Sequence, residues 1–396
     1  MGMNDTPLAN RVHIGIFGRR NAGKSSLINA ITGQDLAIVS AVKGTTTDPV
    51  FKTMEILPIG PVVLIDTAGT DDDSELGALR VSKTRQVINK SDVAVLVVDA
   101  AEGLNSDDRD LLALFQAKNI PAVVVFNKSD LAPAPAPAVA GVPAIAVSAR
   151  SGENIHALKE LIATLHKQEH SAPLVADLLQ PQDLVLLVIP VDAAAPKGRL
   201  ILPQQQVMRD ILDADAVAMA CQLPALPDIM RRYGQDIRLV ITDSQVFAEV
   251  GTVVPDDIPL TSFSILFARY KGILPAAIAA AKAIEALADG DRVLISEGCT
   301  HHRQCDDIGT VKIPRWLKQF SGKNIVIETS SGTQFPEDLR PYKVIIHCGS
   351  CMLNEREVRY RYQCAADQGV PMTNYGLVIA HVNGILQRAI KPLAEA

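Results

Sequence analysis

Short apolar runs recur through the first part of the chain, separated by longer stretches of mixed polarity. The runs are rich in β-branched residues and lie at Val12–Phe17, Val62–Ile65, Val93–Val98, Ala122–Phe126 and Ala144–Val147. Runs without polar alternation are typical of parallel strands that helices cover on both faces. We therefore predict a Rossmann-like α/β domain with a parallel sheet over residues 8–170.

The same alternation returns in two further segments of the chain. A polar, proline-containing stretch at 168–182 indicates a domain boundary. Residues 175–270 are predicted to form an α/β domain for packing or self-association, and residues 271–396 a third, small parallel α/β domain. Gly290 is interpreted as the C-cap of a helix. The predicted elements are the strands Leu184–Val191, Ile237–Thr242, Arg292–Ile295, Asn324–Glu328 and Lys343–Ile346, and the helices Gln204–Asp213, Pro275–Asp289 and Pro314–Phe320.

Composition narrows the class of protein. The net charge of −6 disfavours a dominant nucleic-acid-binding role, because phosphate contacts normally need a basic excess. No apolar run reaches the roughly 18–20 residues of a membrane-spanning helix, and the first residues lack a secretory signal pattern. We expect a cytoplasmic protein without membrane segments. Five of the six cysteines fall in the last hundred residues, which favours metal or redox chemistry over disulfides.

A phosphate-binding motif follows the first predicted strand. Residues Gly18–Ser25 fit G-x-x-x-x-G-K-[ST], and Ser26–Ile31 begins a helical pattern. Glycines permit the backbone N–H groups to curl around phosphates, and the helix N-terminus adds positive potential. Lys24 is predicted to reach the β- and γ-phosphates and Ser25 to bind Mg²⁺. The remaining predicted nucleotide contacts of this loop come from Gly18, Asn21, Ala22, Gly23 and Ser26.

Two threonine- and aspartate-containing motifs complete the predicted catalytic set. Asp66-Thr67-Ala68-Gly69 follows the strand Val62–Ile65, so that Asp66 can hold Mg²⁺ through water and Gly69 can offer its N–H to the γ-phosphate. Between the two phosphate motifs lies Gly44–Asp48, where Thr46 is predicted to close over Mg²⁺ in the triphosphate state. Lys24, Thr46, Asp66 and Gly69 are thus the candidate catalytic residues.

Two further motifs predict a preference for guanine. Asn127-Lys128-Ser129-Asp130 follows a buried strand, and the Asp130 carboxylate can accept hydrogen bonds from N1–H and N2–H₂ of guanine. Adenine lacks these donors, and an unpaired buried carboxylate is costly. Ser148 and Ala149 follow the strand Ala144–Val147, where a backbone N–H can read guanine O6. Together the motifs predict a P-loop GTPase that uses GTP and Mg²⁺.

These motifs resemble the GTPases of the TrmE/Era type, which often carry Gly-Thr-Thr in the first switch. In that group an asparagine placed like Asn21 helps to hold a potassium ion beside the phosphates; the alternative is a loop-shaping role. The residue after Gly69 is Thr70 rather than the water-orienting glutamine of Ras-like enzymes. We therefore expect slow hydrolysis that relies on a cation or on other groups.

A second candidate site lies near the other end of the chain. Cys299 and His301 follow the strand Arg292–Ile295, and His347, Cys348 and Cys351 follow the strand Lys343–Ile346. Open α/β sheets place ligands at such strand ends. Three thiolates with one variable position suit an iron–sulfur cluster, and a closed Cys₃His zinc site is the alternative. His301 and His347 are candidates for a fourth ligand or for a supporting hydrogen bond. Cys305 is a weaker candidate, while Cys221 and Cys364 are interpreted as small apolar residues.

A TrmE-like GTPase joined to C-x-H … H-C-x-x-C resembles the family of FeFe-hydrogenase maturation GTPases. The resemblance implies that Cys299, Cys348 and Cys351 hold a 4Fe–4S cluster, that residues 175–270 mediate dimerisation, and that the protein carries a di-iron precursor to the apo-hydrogenase. Radical-SAM maturases would build that precursor. The alternative functions are a tRNA-modifying GTPase of the TrmE type, which would need basic surfaces and a catalytic C-terminal cysteine, and a zinc-stabilised regulatory GTPase.

Overall fold

The structure, a computed structural model, describes residues 8–33, 50–67, 84–132, 138–139, 141–166, 173–191, 200–298, 307–332 and 335–394. The chain divides into two compact units, Met1–Glu169 and His170–Ala396. Each unit is built on parallel strands with helices packed against them, so the predicted α/β class is confirmed.

The first unit contains a six-stranded sheet in the order β2-β3-β1-β4-β5-β6. All neighbouring strands are parallel except the pair β2 and β3, which is antiparallel. Side chains of β2 alternate between exposed and half-buried, and for that reason this edge strand does not produce an apolar run. The strands are β1 (Val12–Phe17), β2 (Val50–Ile56), β3 (Gly60–Asp66), β4 (Val93–Asp99), β5 (Ala122–Asn127) and β6 (Ala144–Ala146), and the helices are Lys24–Thr32, 84–90, Ser106–Ala117 and Ile155–Leu165.

The second unit contains two four-stranded parallel sheets, in the orders β10-β9-β7-β8 and β12-β11-β13-β14. The strands are β7 (Leu184–Val188), β8 (Val217–Cys221), β9 (Ile237–Thr242), β10 (Leu260–Ser262), β11 (Arg292–Glu297), β12 (Val326–Ser331), β13 (Val344–His347) and β14 (Met372–Asn374). The helices are Leu202–Asp213, Leu226–Tyr233, Phe247–Val253, Phe263–Tyr270, Leu274–Ala281, Ile313–Ser321, Glu355–Asp367, Tyr375–Val382 and Leu386–Ala394.

One apolar core joins the two sheets of the second unit. It contains the fully buried side chains of Leu186 and Val240 from the first sheet and Leu294 and Ile345 from the second. Because the sheets share this core, their carboxyl-terminal strand ends belong to one packed body, and side chains from both sheets can contribute to the same site.

Several predicted boundaries in the second unit are wrong, among them the strand Asn324–Glu328, which lies at Val326–Ser331. The first strand ends at Val188 rather than Val191, just before Pro190, which has no backbone N–H for the ladder. The predicted helix Pro275–Asp289 ends at Ala281 and continues only as a 3₁₀ turn, Lys282–Ala286, because the chain must turn into β11. Gly290 is therefore not a helix cap. It lies in the turn before β11, with φ of 84°, and its N–H donates to the Asn324 carbonyl at 2.9 Å.

Candidate nucleotide and cysteine sites

The phosphate-binding loop joins β1 to the helix Lys24–Thr32. Gly18 has φ of 135° and Gly23 has φ of 93°, in the region that favours glycine. A Cβ on Gly18 would lie 2.2 Å from the Val97 carbonyl oxygen, and a Cβ on Gly23 would lie 2.2 Å from Asn127 Nδ2. Both glycines are therefore required by contact as well as by conformation. The loop ends at a helix N-terminus, where N–H groups favour an anion.

Lys24 lies inside this loop, with 8% of the residue exposed. Its ammonium donates to the carbonyl oxygens of Gly18 and Arg19, each at 2.7 Å. These bonds hold the positive charge within the curl of backbone that a phosphate chain would enter. The predicted role of Lys24 in binding β- and γ-phosphates fits this placement.

The end of β3 faces the start of the same helix. Ser25 Oγ donates to Asp66 Oδ2 at 2.7 Å, and Thr67 Oγ1 donates to the Ile16 carbonyl at 2.7 Å, which ties β3 to β1. Burial raises the pKa of Asp66, and the Ser25 hydrogen bond and the charges of Lys24 and Lys52 oppose this shift. Asp66 Oδ1 is buried without a hydrogen-bond partner among the described residues. A hydroxyl beside a buried, incompletely paired carboxylate is an oxygen donor set of the kind that Mg²⁺ prefers.

The residues predicted to recognise guanine lie next to the phosphate-binding loop. Buried Asn127 donates from Nδ2 to the Ala22 carbonyl at 3.0 Å and accepts at Oδ1 from the Ala149 N–H at 3.1 Å. Ser148 Oγ donates to Asp130 Oδ1 at 2.7 Å, which orients the carboxylate. Three segments that are distant in sequence thus meet at one edge of the sheet. Asn127 links the phosphate-binding loop, through Ala22, to the loop that follows β6, through Ala149.

The other predicted nucleotide-binding residues that the structure describes include Asn21, Ser26 and Lys128. Asn21 adopts φ of 63° in the loop and is exposed, as is Ser26. Lys128 has φ of 68° and its ammonium pairs with Asp99 Oδ2 at 2.7 Å. Asp99 was not predicted from the sequence, although its position at the carboxyl end of β4 is the available signal. Thr46 and Gly69 lie outside the described residues.

In the second unit, two neighbouring strands end at the predicted cysteine site. β11 and β13 are adjacent and parallel, with Ser296 opposite His347. Beyond them, the Gly298 N–H donates to Cys348 Sγ at 3.1 Å, and the Ser350 N–H approaches the same sulfur at 3.4 Å. Burial raises the pKa of the Cys348 thiol, and these two N–H donors oppose the shift. Burial also raises the pKa of Cys351.

His347 is fully enclosed and hydrogen-bonded at both ring nitrogens. Arg361 Nη1 lies 3.1 Å from His347 Nε2, which makes Nε2 the acceptor and leaves the proton on Nδ1. Nδ1 faces the Cys348 carbonyl at 3.0 Å and Ser350 Oγ at 2.9 Å. Burial lowers the pKa of His347 to about 3, and the Arg361 charge adds to the shift. The ring therefore braces the loop that carries the two cysteines.

Three of the predicted ligands and two other cysteines remain to be placed. Cys299, His301 and Cys305 lie outside the described residues. Within the described part of the chain, no group of three or more His, Cys, Asp or Glu side chains is arranged to hold a metal ion. Cys221 and Cys364 are half-buried and pack against the shared core, in line with the apolar role expected of them.

Three family models match the chain. The 50S ribosome-binding GTPase model matches residues 13–128, the hydrogen maturase F dimerization domain matches residues 174–272, and the hydrogen maturase F tetramerization domain matches residues 275–392. The chain belongs to the hydrogen maturase F (HydF) family. It combines a GTPase domain with two domains that the family models describe as a dimerization and a tetramerization domain.

Curated relatives resemble the GTPase part of this HydF-family chain. The tRNA modification GTPase MnmE of Desulfotalea psychrophila is 36% identical over 159 residues, which cover 38% of this chain and 33% of that protein. MnmE of Synechococcus sp. is 40% identical over 170 residues, covering 41% and 35%. GTPase Der of Kosmotoga olearia is 40% identical over 123 residues, covering 30% and 28%. The chain thus spans about a third of the length of these relatives.

Solved GTPase structures also match. Era of Aquifex aeolicus aligns with a TM-score of 0.35 and 20% identity, over 57% of this chain and 99% of that one. The G domain of the T. maritima iron transporter FeoB aligns with a TM-score of 0.30 and 22% identity, over 40% and 100%. Among the described residues, no helix is both long and apolar enough to cross a membrane.

Proposed function

We propose that this HydF-family chain is a GTP-gated scaffold that binds a 4Fe–4S cluster and delivers a di-iron precursor to apo FeFe-hydrogenase. The proposed domains are residues 8–170 for GTP, 175–270 for dimerisation and 271–396 for the cluster, in a cytoplasmic homodimer. The observation that carries the proposal is the 3.1 Å contact between the Gly298 N–H and Cys348 Sγ, because it brings the two sulfur-bearing segments together.

The donor set supports an iron–sulfur centre. Cys348 and Cys351 lie in one loop after β13, and Cys299 directly follows Gly298 in the sequence. Consecutive Cα atoms are about 3.8 Å apart, and Gly298 contacts Cys348 Sγ, which supports Cys299 as the third proposed ligand. Backbone N–H groups that point at sulfur stabilise the thiolate that a metal requires. A bound cluster would supply an anionic metal centre with an exchangeable iron position.

The fourth position would then be open to an exogenous ligand or to His301. His347 uses both ring nitrogens to brace the loop, which favours a supporting role over ligation. An exchangeable position suits a carrier, because a bridging ligand of the cargo could bind there and later leave. Free imidazole or cyanide should therefore alter the EPR spectrum of the reconstituted protein, and an unchanged spectrum would count against this assignment.

The GTPase domain would act as a switch rather than as a catalyst of cargo chemistry. Ser25, Thr46 and Asp66 would hold Mg²⁺, and Asn21 a potassium ion. Thr70 stands where Ras-like enzymes place glutamine, so the intrinsic rate should be slow and cation-dependent. Binding of GTP would move the switch segments and change contacts with apo-hydrogenase and with radical-SAM maturases.

A reconstitution experiment tests the proposal. The chain is loaded anaerobically with iron and sulfide and then with a synthetic di-iron precursor, and it is mixed with apo FeFe-hydrogenase. Wild type should be brown and should activate the hydrogenase, while a Cys348→Ser variant should do neither. A wild-type protein that stays colourless after reconstitution with iron and sulfide but binds zinc would support a zinc-stabilised regulatory GTPase instead.

The relatives named tRNA modification GTPases keep a second candidate in view. Their similarity extends over 150–170 residues at 36–40% identity. A chain of that function should bind tRNA with a steep dependence on salt. Absence of tRNA binding together with iron-dependent activation of hydrogenase would separate the two functions.

A further inference from the structure

Lys271 is a buried lysine that the nucleotide site does not use. Only 4% of the residue is exposed. It follows the helix Phe263–Tyr270, and its backbone N–H donates to the Phe267 carbonyl at 3.0 Å, which closes the helix and directs the side chain inward. An ammonium group taken out of water is costly unless hydrogen bonds and opposite charge compensate it. The groups around its Nζ therefore indicate what the lysine is for.

The ammonium of Lys271 binds the loop that carries the two cysteines. Nζ donates to the Ser350 carbonyl and, at 2.8 Å, to the Leu353 carbonyl. Ser350 has φ of 57°, a left-handed conformation that costs a non-glycine residue free energy. The Leu353 N–H also donates to the Ser350 carbonyl at 3.2 Å. Lys271 thus closes a strained turn in which Cys351 lies between the two bound carbonyls.

The same turn contacts the other sulfur-bearing segment. Leu353 packs directly on Gly298, where an added Cβ would lie 2.7 Å from Leu353 Cγ and Cδ1. Gly298 in turn donates to Cys348 Sγ and immediately precedes Cys299. Lys271 therefore holds the loop with Cys348 and Cys351 directly, and it contacts the Gly298 segment indirectly, through Leu353.

Two further contacts, with Arg359 and Phe267, hold Lys271 in place. Its backbone carbonyl accepts from Arg359 Nε at 3.2 Å, on the helix Glu355–Asp367. Its Nζ lies 5.9 Å from the centre of the Phe267 ring. Lys271 belongs to the segment matched by the dimerization model, whereas the turn that it binds belongs to the segment matched by the tetramerization model.

The electrostatic surroundings point to an anionic centre. Burial lowers the pKa of Lys271 to about 8, and the charges of Cys351, Cys348 and Glu355 oppose this shift. The Lys271 ammonium donates to two carbonyl oxygens of the loop that carries both cysteines, so its charge is enclosed within that loop. A buried cation favours thiolates and a negatively charged metal centre over neutral thiols.

We propose that Lys271 is a positioning residue of the cysteine site, which holds the 348–353 loop against Gly298 and whose charge favours an anionic, thiolate-bound metal centre. The charge part rests on the proposed function. The lysine also links the dimerisation segment physically to the metal-binding loop.

The test compares Lys271→Met, Lys271→Arg and the control Lys282→Met in the full chain; Lys282 is exposed. In the metal-free proteins, hydrogen exchange of the backbone amides at 348–353 is measured. Lys271→Met should accelerate exchange at least tenfold and Lys271→Arg should accelerate it less. The Lys282→Met variant should match wild type.

The same variants are then reconstituted with iron and sulfide and titrated with reductant, with EPR detection. Loss of a nearby buried cation should lower the equilibrium constant for one-electron reduction by about tenfold or more, which is about 59 mV for a one-electron couple. Lys271→Arg keeps the positive charge and should therefore have a reduction potential close to that of wild type.

If Lys271 has only a structural role, Lys271→Met will accelerate exchange but leave the reduction potential of the bound iron unchanged. That result would overturn the inference. Unchanged exchange in Lys271→Met would overturn it as well. If wild type itself binds no iron, the proposed function fails, and the charge part of the inference fails with it.

Discussion

Arg361 should be one of the most costly residues to remove from the second unit. Its side chain is fully buried on the helix Glu355–Asp367 and pairs with Glu357 at 3.0 Å. It also donates to His347 Nε2 and, at 2.9 Å, to the Gly332 carbonyl. Arg361→Met would leave a carboxylate, an imidazole nitrogen and a carbonyl without this partner.

Breaking a buried ion pair by removing one partner typically costs about 3–5 kcal/mol. That is a large share of the roughly 5–15 kcal/mol by which domains are stable. With a urea m-value of about 2 kcal/mol per M, the unfolding midpoint should fall by about 2 M. Replacing both partners, Arg361→Met with Glu357→Met, should cost less than the sum of the single changes because no charge remains buried alone.

The chain contains one tryptophan, Trp316, and it lies in the second unit. Urea unfolding followed by its fluorescence therefore reports on that unit. Arg209→Met is the matched control, since Arg209 and Asp213 form an i,i+4 pair that is 77% and 52% exposed, and its midpoint should match wild type. If Arg361→Met also leaves the midpoint unchanged, the assigned role of the buried network is refuted.

Three further outcomes test the first unit. Gly18→Ala should abolish nucleotide binding in calorimetry, because its Cβ would lie 2.2 Å from a backbone oxygen. The control Gly33→Ala has nothing within 4 Å of the added Cβ and should still bind nucleotide. Equal loss of binding in both variants would contradict the contact argument. Asp130→Asn should weaken GTP binding by about 100-fold or more, since the carboxylate that matches N1–H and N2–H₂ is lost, and it should improve xanthosine triphosphate binding; unchanged GTP affinity would refute the assignment. Burial lowers the pKa of His13 to about 4, so stability that is present above about pH 6.5 should be lost as the pH falls towards 4. Hydrogen exchange of β1 measures this loss, and His13→Gln should reduce it; an unreduced loss in that variant would exclude His13 as the cause.

Much of the nucleotide site could be predicted from the sequence because its physics is local. Gly18 and Gly23 are needed for backbone conformation and close contact, and Asp66 and Asn127 stand at the ends of apolar runs that are typical of buried parallel strands. The predicted β1 and β9 agree with the structure at both ends. Strand β2 escaped prediction because its half-exposed side chains show no apolar run.

The cysteine site was predictable only in outline. Spacing predicts that His347, Cys348 and Cys351 share a strand end, and in the structure His347 is the last residue of β13 and the two cysteines follow it. Nothing in the sequence indicates that Arg361 and Lys271 are buried, because lysine and arginine normally lie on the surface. Their roles depend on long-range packing between two sheets. Nothing in the sequence predicts the match of residues 275–392 to a tetramerization domain, because the pattern favours self-association only for residues 175–270.

Anaerobic iron and sulfide analysis of wild type against Cys299→Ser, Cys348→Ser and Cys351→Ser tests the account most directly. Cys364→Ser is the control, since Cys364 packs against the apolar core. We predict that each of the three site variants loses most of the iron and sulfide that wild type and the control retain. Equal metal content in all five proteins would contradict the convergence of two sulfur-bearing segments on one cluster, and the GTP-binding unit would then stand without it.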